Sequence, residues 1–243
     1  MNFVITGASS GIGRSIAIEL AKKYKLSQFI LISRSSTPPK PDEYGEEPTY
    51  KIIDEKTTSS AEQLFYDFSS VEGIPQLVKS IKERFYKVDV LVNNAGILPL
   101  KSFFEIEQHE YFKLLNVNLN SVFFLTREIV KSYPDIKNII NIASVSGLTA
   151  NPDDVAYGMT KAAIINFTKS LAKLLAPKTR VNCISPGFIE TNLVPGETPK
   201  ELIEQIPLKY EASPKVIAKA VIFILENEYV NGSNIVVDGG LIA

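Results

Sequence analysis

Apolar positions along the chain fall into short continuous runs, separated by stretches in which they recur every three or four residues. Phe3 to Thr6 is the first such run. It ends in a glycine-rich turn, after which Ile12, Ile16, Ala17 and Leu20 return at helical spacing. The pattern predicts strand, tight turn, helix. Phe29 to Ile32 is a second run, bounded by Ser33-Arg34. From Ser35 to Ser60 regularity is lost: Pro38, Pro39, Pro41 and Pro48 stand among acidic residues, which suits an exposed, irregular excursion better than a helix. Within it Tyr50 to Ile53 has the composition of a strand.

Order resumes with a strand at Gln63 to Tyr66, then Asp67 and a Ser69-Ser70 cap, then Ile74, Leu77, Val78, Ile81 and Phe85 on one helical face. Val88 to Val92 and Asn138 to Ile142 read as buried strands on either side of a long helix from Tyr111 to Ser132. A further helix runs from about Asp154 to Ala176, stopped by Pro177. Val181 to Ile184, a helix opened by Ser213-Pro214, and a last strand at Ile235 to Val237 before Asp238-Gly239-Gly240 complete the order.

Runs that are apolar throughout, alternating with helices, predict a parallel sheet covered on both faces. The expected fold is therefore a doubly wound α/β domain of about seven strands spanning residues 1–243, with ligands bound beyond the carboxyl ends of the strands. With 45% hydrophobic and 22% charged side chains the chain can bury a large core. A net charge of −1 offers no basic surface for nucleic acid or an anionic membrane. The opening Met1-Asn2-Phe3-Val4-Ile5 lacks the pattern of a signal peptide, and no uncharged run reaches the length of a membrane span, so a cytoplasmic location is expected. One cysteine, Cys183, and one histidine, His109, leave no soft metal-ligand cluster.

The strand ends carry the candidate chemistry. Thr6-Gly7-Ala8-Ser9-Ser10-Gly11-Ile12-Gly13 opens a helix, so its backbone can approach an anion such as a dinucleotide pyrophosphate. Gly7 to Gly11 also spells G-x-S-x-G, a hydrolase elbow with Ser9 as nucleophile. That reading needs a histidine partner, and His109 sits at the polar start of a helix. Later strands end in Asn93-Asn94-Ala95-Gly96, in Ala143-Ser144 and in Ser185-Pro186-Gly187. Tyr157 and Lys161, four residues apart, share one helix face. Taken singly, each is as well explained as a surface or structural residue.

The combination is not. A glycine turn, Asn-Asn-Ala-Gly, a serine thirteen positions before Tyr-x-x-x-Lys, and Pro-Gly after the next strand resemble the short-chain dehydrogenase/reductase family, over Thr6 to Gly240. The resemblance implies an NAD(P)-dependent oxidoreductase interconverting a carbonyl and a hydroxyl group. By the same resemblance, Tyr157 is the acid or base, Ser144 holds the substrate oxygen, and Lys161 favours the phenolate and grips the nicotinamide ribose. Asn118, within Asn116-Val117-Asn118-Leu119-Asn120, matches the asparagine that anchors a water-linked proton relay. Cofactor contacts are implied for Gly7, Ser9, Ser10, Ile12, Gly13, Ser33, Arg34, Asp67, Phe68, Asn94, Ala95, Gly96, Ile142, Tyr157, Lys161, Pro186, Gly187, Ile189 and Thr191. No metal is implied. Family members commonly assemble as homodimers or homotetramers through two long helices, which here correspond to Tyr111 to Ser132 and Asp154 to Ala176.

An acidic residue at the end of the second strand would bind the ribose 2′-OH of NAD; this chain has Ser33-Arg34, which favours NADP(H). The family usually places a helix between the second and third strands, and the proline-rich stretch departs from that. Its prolines and acids suit solvent better than a cover over the 2′-phosphate. Leu98, Val145, Ser146, Leu148, Ala150, Phe188 and Leu193, with a loop from Thr191 to Pro207, form a mainly apolar candidate pocket suited to a neutral carbonyl compound, as in a ketone reductase or a 3-oxoacyl reductase. A catalytically idle, NADP-binding sensor or assembly protein is the alternative, and an intact Ser144, Tyr157 and Lys161 set argues against it.

Overall fold

The computed structural model describes residues 1–243 apart from Pro39, Val194, Pro195 and Glu197, so parts of the proline-rich stretch and of the Thr191 to Pro207 loop lie outside the described residues. The strands are β1 (Asn2–Thr6), β2 (Gln28–Ser33), β3 (Ser60–Phe65), β4 (Val90–Asn93), β5 (Asn138–Ile142), β6 (Arg180–Pro186) and β7 (Asn234–Val237). Around them lie α1 (Gly11–Lys23), α2 (Thr49–Lys56), α3 (Ile74–Lys82), α4 (Gln108–Leu115), α5 (Ser121–Ser132), α6 (Val155–Leu175), α7 (Lys200–Gln205) and α8 (Lys215–Glu226). All strand pairs are parallel, in the order β3-β2-β1-β4-β5-β6-β7. The order reverses between β1 and β4. A crevice outside the strand ends forms at such a point.

Residue alternation explains the apolar runs. Phe3 and Ile5 pack on one face with Ile16, Leu20, Ile53, Ile217 and Val221, while Val4 between them packs on the other with Ile74, Val78, Leu125 and Ile129. Both faces being covered, each strand needs apolar side chains in both directions. None of the helices among the described residues is long and apolar enough to cross a membrane.

Three elements differ from the sequence pattern, one of them the short α7, which lies within the expected Thr191 to Pro207 loop. Tyr50 to Ile53 lies within the helix α2, not in a strand. Neighbouring parallel strands need a crossover over one sheet face, and Ile52 and Ile53 supply its buried side against that face. The long helix expected from Tyr111 to Ser132 is interrupted by a π-helical turn, Asn116–Asn120, between α4 and α5. Such turns are rare and cluster at functional sites.

The proline-rich stretch is also not a free excursion. Residues 34–38, 40 and 41 are exposed or half-buried, but the chain beyond them is tied to α1. The Arg14 side chain is fully buried, ion-pairs with Asp42 at 2.9 Å, and donates to the carbonyls of Gly45 (2.9 Å) and Glu47 (2.6 Å). Tyr44 adds contacts to Ser15 (3.0 Å) and Glu19 (3.1 Å). Thr49 donates to the carbonyl of Ala8 at 2.7 Å, joining this segment to the glycine turn itself.

Candidate active site

The turn after β1 is held from the neighbouring strand. The Thr6 hydroxyl accepts the backbone N–H groups of Asn94 (2.9 Å) and Ala95 (3.0 Å), and the Asn94 amide donates to the carbonyls of Thr6 (3.0 Å) and Gly7 (3.1 Å). Gly7 has φ +66°, and a Cβ there would lie 2.9 Å from the Ala95 Cα. At Gly13 a Cβ would overlap the Gly7 carbonyl and the Asn94 amide, so α1 starts against the turn only because that position is bare. Ser10 precedes α1 without a side-chain cap, leaving the first N–H groups of the helix free for an anion. Gly11 brings in a third segment: a Cβ there would meet Thr191 at 3.2 Å.

At the end of β5, Ser144 caps a short 3₁₀ turn, Val145–Gly147, its Oγ accepting the N–H of Ser146 at 3.1 Å. This turn presses on α6, where Tyr157 and Lys161 are both buried. The Lys161 ammonium lies 5.4 Å from the centre of the Tyr157 ring and donates to the Ile142 carbonyl at 3.0 Å. No second acceptor for its remaining protons is found among the described residues. Asn118 lies at the middle of the π-helical turn, clamped to Ile97 by bonds to its N–H and from its own amide to its carbonyl, both 2.9 Å. Above Gly96, the Asn118 carboxamide oxygen and Lys161 Nζ converge: a Cβ there would sit 3.6 Å from the first and 3.7 Å from the second. The sequence-predicted Ser144, Tyr157, Lys161 and Asn118 therefore gather at the same sheet edge as the glycine turn.

Charge in this cluster runs against expectation at one point. Burial pushes the Tyr157 phenol well above its usual value; the adjacent Ser144 opposes the shift and the charge of Asp154 adds to it. Burial acts on the neighbouring Lys161 in the opposite direction and lowers its value to about 8. One consequence is measurable. Between about pH 8 and 10.5 the folded chain keeps Lys161 neutral while the unfolded chain binds a proton, so the contribution of Lys161 to stability rises with pH across that window by up to roughly 3 kcal/mol. Urea unfolding at both ends of the window should show the wild type gaining on Lys161→Met by this amount, since Cys183 and the buried tyrosines, held above their usual values, act in the opposite sense in both chains. Parallel curves would refute it.

Several expected cofactor positions are spent on structure. The Ser33 hydroxyl donates to the Ser35 carbonyl and accepts from Gln63 at 2.9 Å, so it is not free for a phosphate. The Phe68 ring is buried against Tyr66, leaving only its backbone to meet a nucleotide. The Asn94 amide is occupied as above. Asp67 accepts the Ser69 N–H at 2.9 Å, which holds its carboxyl below the usual range, with Arg34 near enough to contribute. Arg34 itself is exposed, without an ion pair among the described residues. Ile12 is partly buried against the core, Ser9 is half-exposed, Pro186 ends β6, and Gly187 donates to the Val237 carbonyl at 3.0 Å beside Ile189. Among the candidate pocket residues, Leu148, Ala150 and Leu193 are exposed, and Leu98, Val145, Ser146 and Phe188 are half-buried. Arg14 and Asp154 carry structural weight that sequence reasoning missed; neither stands out in the helical pattern around it.

A family model described as enoyl-(acyl carrier protein) reductase matches residues 7–242. The 3-oxoacyl-(acyl-carrier-protein) reductase of Haemophilus influenzae is 33% identical, with 98% of this chain and 96% of that protein covered. The chain belongs to the short-chain dehydrogenase/reductase family. This dehydrogenase/reductase is an NAD(P)-dependent enzyme acting on CH–OH and C=O groups. Its fold matches a solved 3-ketoacyl-(acyl-carrier-protein) reductase from Brucella melitensis complexed with NADH (26% identity, TM-score 0.85, covering 100% of this chain and 98% of that one). It also matches a blue fluorescent protein from a metagenomic library in complex with NADPH (27% identity, TM-score 0.86, with the same coverage). The dehydrogenase/reductase has the features such a cofactor requires: a bare glycine turn at a helix start and a buried ammonium with donors to spare.

Proposed function

We propose that this dehydrogenase/reductase is an NADPH-dependent carbonyl reductase of the 3-oxoacyl type, and the observation that carries the reading is the convergence of Ser144, Tyr157 and Lys161 beside the glycine turn. Bound nicotinamide supplies the hydride; the protein supplies orientation and the proton. The backbone from Gly7 to Gly13 and the start of α1 would hold the pyrophosphate, beside Thr191, which packs against Gly11. Lys161 would offer its unused donors to the nicotinamide ribose. Ser144 donates to the substrate oxygen, where negative charge grows as the carbonyl is reduced. Tyr157 gives that oxygen its proton. A phenol held above its usual value by burial stays protonated at neutral pH, which suits the reducing direction. Asn118, locked to Ile97 in the π-helical turn, steadies the water chain that resupplies the proton through Lys161.

For the substrate, the half-buried Leu98, Val145 and Phe188 with the exposed Leu148 and Leu193 give an apolar approach without an arginine or lysine fork, matching a neutral acyl chain next to a ketone. For the cofactor, Arg34 is the exposed cation at the end of β2 and the natural partner of a 2′-phosphate. Arg34→Glu is expected to raise the KM for NADPH about tenfold, a change of about 1.4 kcal/mol, while leaving that for NADH nearly unchanged. Equal effects on the two cofactors would remove the NADP assignment. Self-association is part of the same reading, supported by Phe123, Met159 and Leu174, which stand exposed on α5 and α6. The test of function is turnover of NADPH and NADH across a panel of acetoacetyl esters, ketones, diketones and quinones. Cofactor binding without turnover on any of them would favour the idle binder instead.

A further inference from the structure

The turn that carries Ser144 has no covalent tie to the start of α6 except the loop 148–154, yet it is clamped there at three points. A Cβ on Gly147 would lie 2.6 Å from the Lys161 carbonyl carbon, and one on Gly158 would lie 2.7 Å from the Ser146 carbonyl oxygen, so backbone meets backbone at both places. The third contact is polar: the Ser146 hydroxyl donates to the Asp154 carboxylate at 2.6 Å. The second carboxylate oxygen, Oδ1, is closed off from solvent, and the Asn151 side chain lies within bonding reach of the carboxylate. No lysine or arginine among the described residues pairs with Asp154.

We infer that Asp154 is a positioning residue for the carbonyl chemistry, which through Ser146 sets where the Ser144 hydroxyl stands relative to the Tyr157 phenol. This rests on the reading that Ser144 and Tyr157 act on a substrate oxygen. A half-buried carboxylate is costly to keep for packing alone, and this one supplies a polar joint between the serine-bearing turn and the tyrosine-bearing helix beside the two backbone contacts. The groups facing it are Ser146 on the turn, Asn151 and Asp153 in the loop, and Tyr157 on its own helix. Burial and Asp153 hold the Asp154 carboxyl above the usual range, and the Asp154 charge in turn raises the phenol. Asp154 thus bears on Tyr157 both by geometry and by charge.

Single-turnover hydride transfer separates this from a general structural role. Ser146→Ala and Asp154→Ala should each slow transfer by about tenfold or more, as misplacement of a reacting group does, without changing the dissociation constant of NADPH. The double variant should be no slower than the worse single one, because both changes break the same bond. Asp154→Asn keeps an acceptor oxygen and should recover most of the rate, while its pH profile moves to lower pH because the charge opposing the phenolate is gone. The same downward movement should appear in the phenol's own ionisation, read as the near-ultraviolet difference between each background and its Tyr157→Phe counterpart, whether or not turnover is seen. Rates within twofold of wild type in both alanine variants, additive losses, or an unmoved profile in Asp154→Asn would each overturn the inference. If Asp154→Ala does not fold, Ser146→Ala and Asp154→Asn decide. A wild type without turnover would instead count against the assigned reaction, and the phenol titration would still judge Asp154.

Discussion

Tyr157→Phe is expected to cut turnover by roughly 10²–10⁴-fold, the range for removing a positioned proton donor, while the variant folds and binds NADPH as the wild type does. The ring loses only its hydroxyl, so the packing around α6 is kept. Ser144 would still hold the substrate oxygen and the cofactor would still be gripped, which leaves the unaided proton step as the limit. Steady-state assay alongside NADPH fluorescence titration checks both halves. Unchanged turnover would dismiss Tyr157 as the acid, and loss of cofactor binding would mean that the phenol is needed to build the nucleotide site.

The second large effect lies away from the reacting atoms. Arg14→Met should lower stability by roughly 2–5 kcal/mol, because it removes charge-assisted bonds to two backbone carbonyls and the partner of the half-buried Asp42. For a chain of this length that corresponds to about 2–4 °C of Tm per kcal/mol. The methionine fills the volume but leaves the Gly45 and Glu47 carbonyls without donors and Asp42 without its partner. Limited proteolysis should then cut between Asp42 and Thr49 first. A loss below about 1 kcal/mol, with no new cleavage there, would show that the segment is held by Tyr44 and Thr49 instead.

What could be read from the chain, and what could not, follows from which forces act locally. Phe3 to Thr6 or Asn138 to Ile142 declare themselves because a strand covered on both faces must be apolar at consecutive positions. The Ser144, Tyr157 and Lys161 set was legible because its spacing follows from strand, turn and helix geometry that the family shares. By contrast α2 is hidden behind Pro48 and a run of acids, and it forms because parallel β2 and β3 demand a crossover, a tertiary requirement. Arg14 looks like any helix-surface arginine; its partners lie some thirty residues on, beyond any local pattern. Ser33 offered a hydroxyl on paper and gives it to Ser35 in space. Lys161 was expected to favour the phenolate; burial of the pair instead raises the phenol and lowers the lysine.

The Asn94 amide grips the glycine turn from the end of the neighbouring strand. Protein–protein bonds fix the conformation of the nucleotide cradle, so little of a dinucleotide's binding free energy goes into ordering a loop. The low ordering cost strengthens dinucleotide binding and holds the nicotinamide in one register.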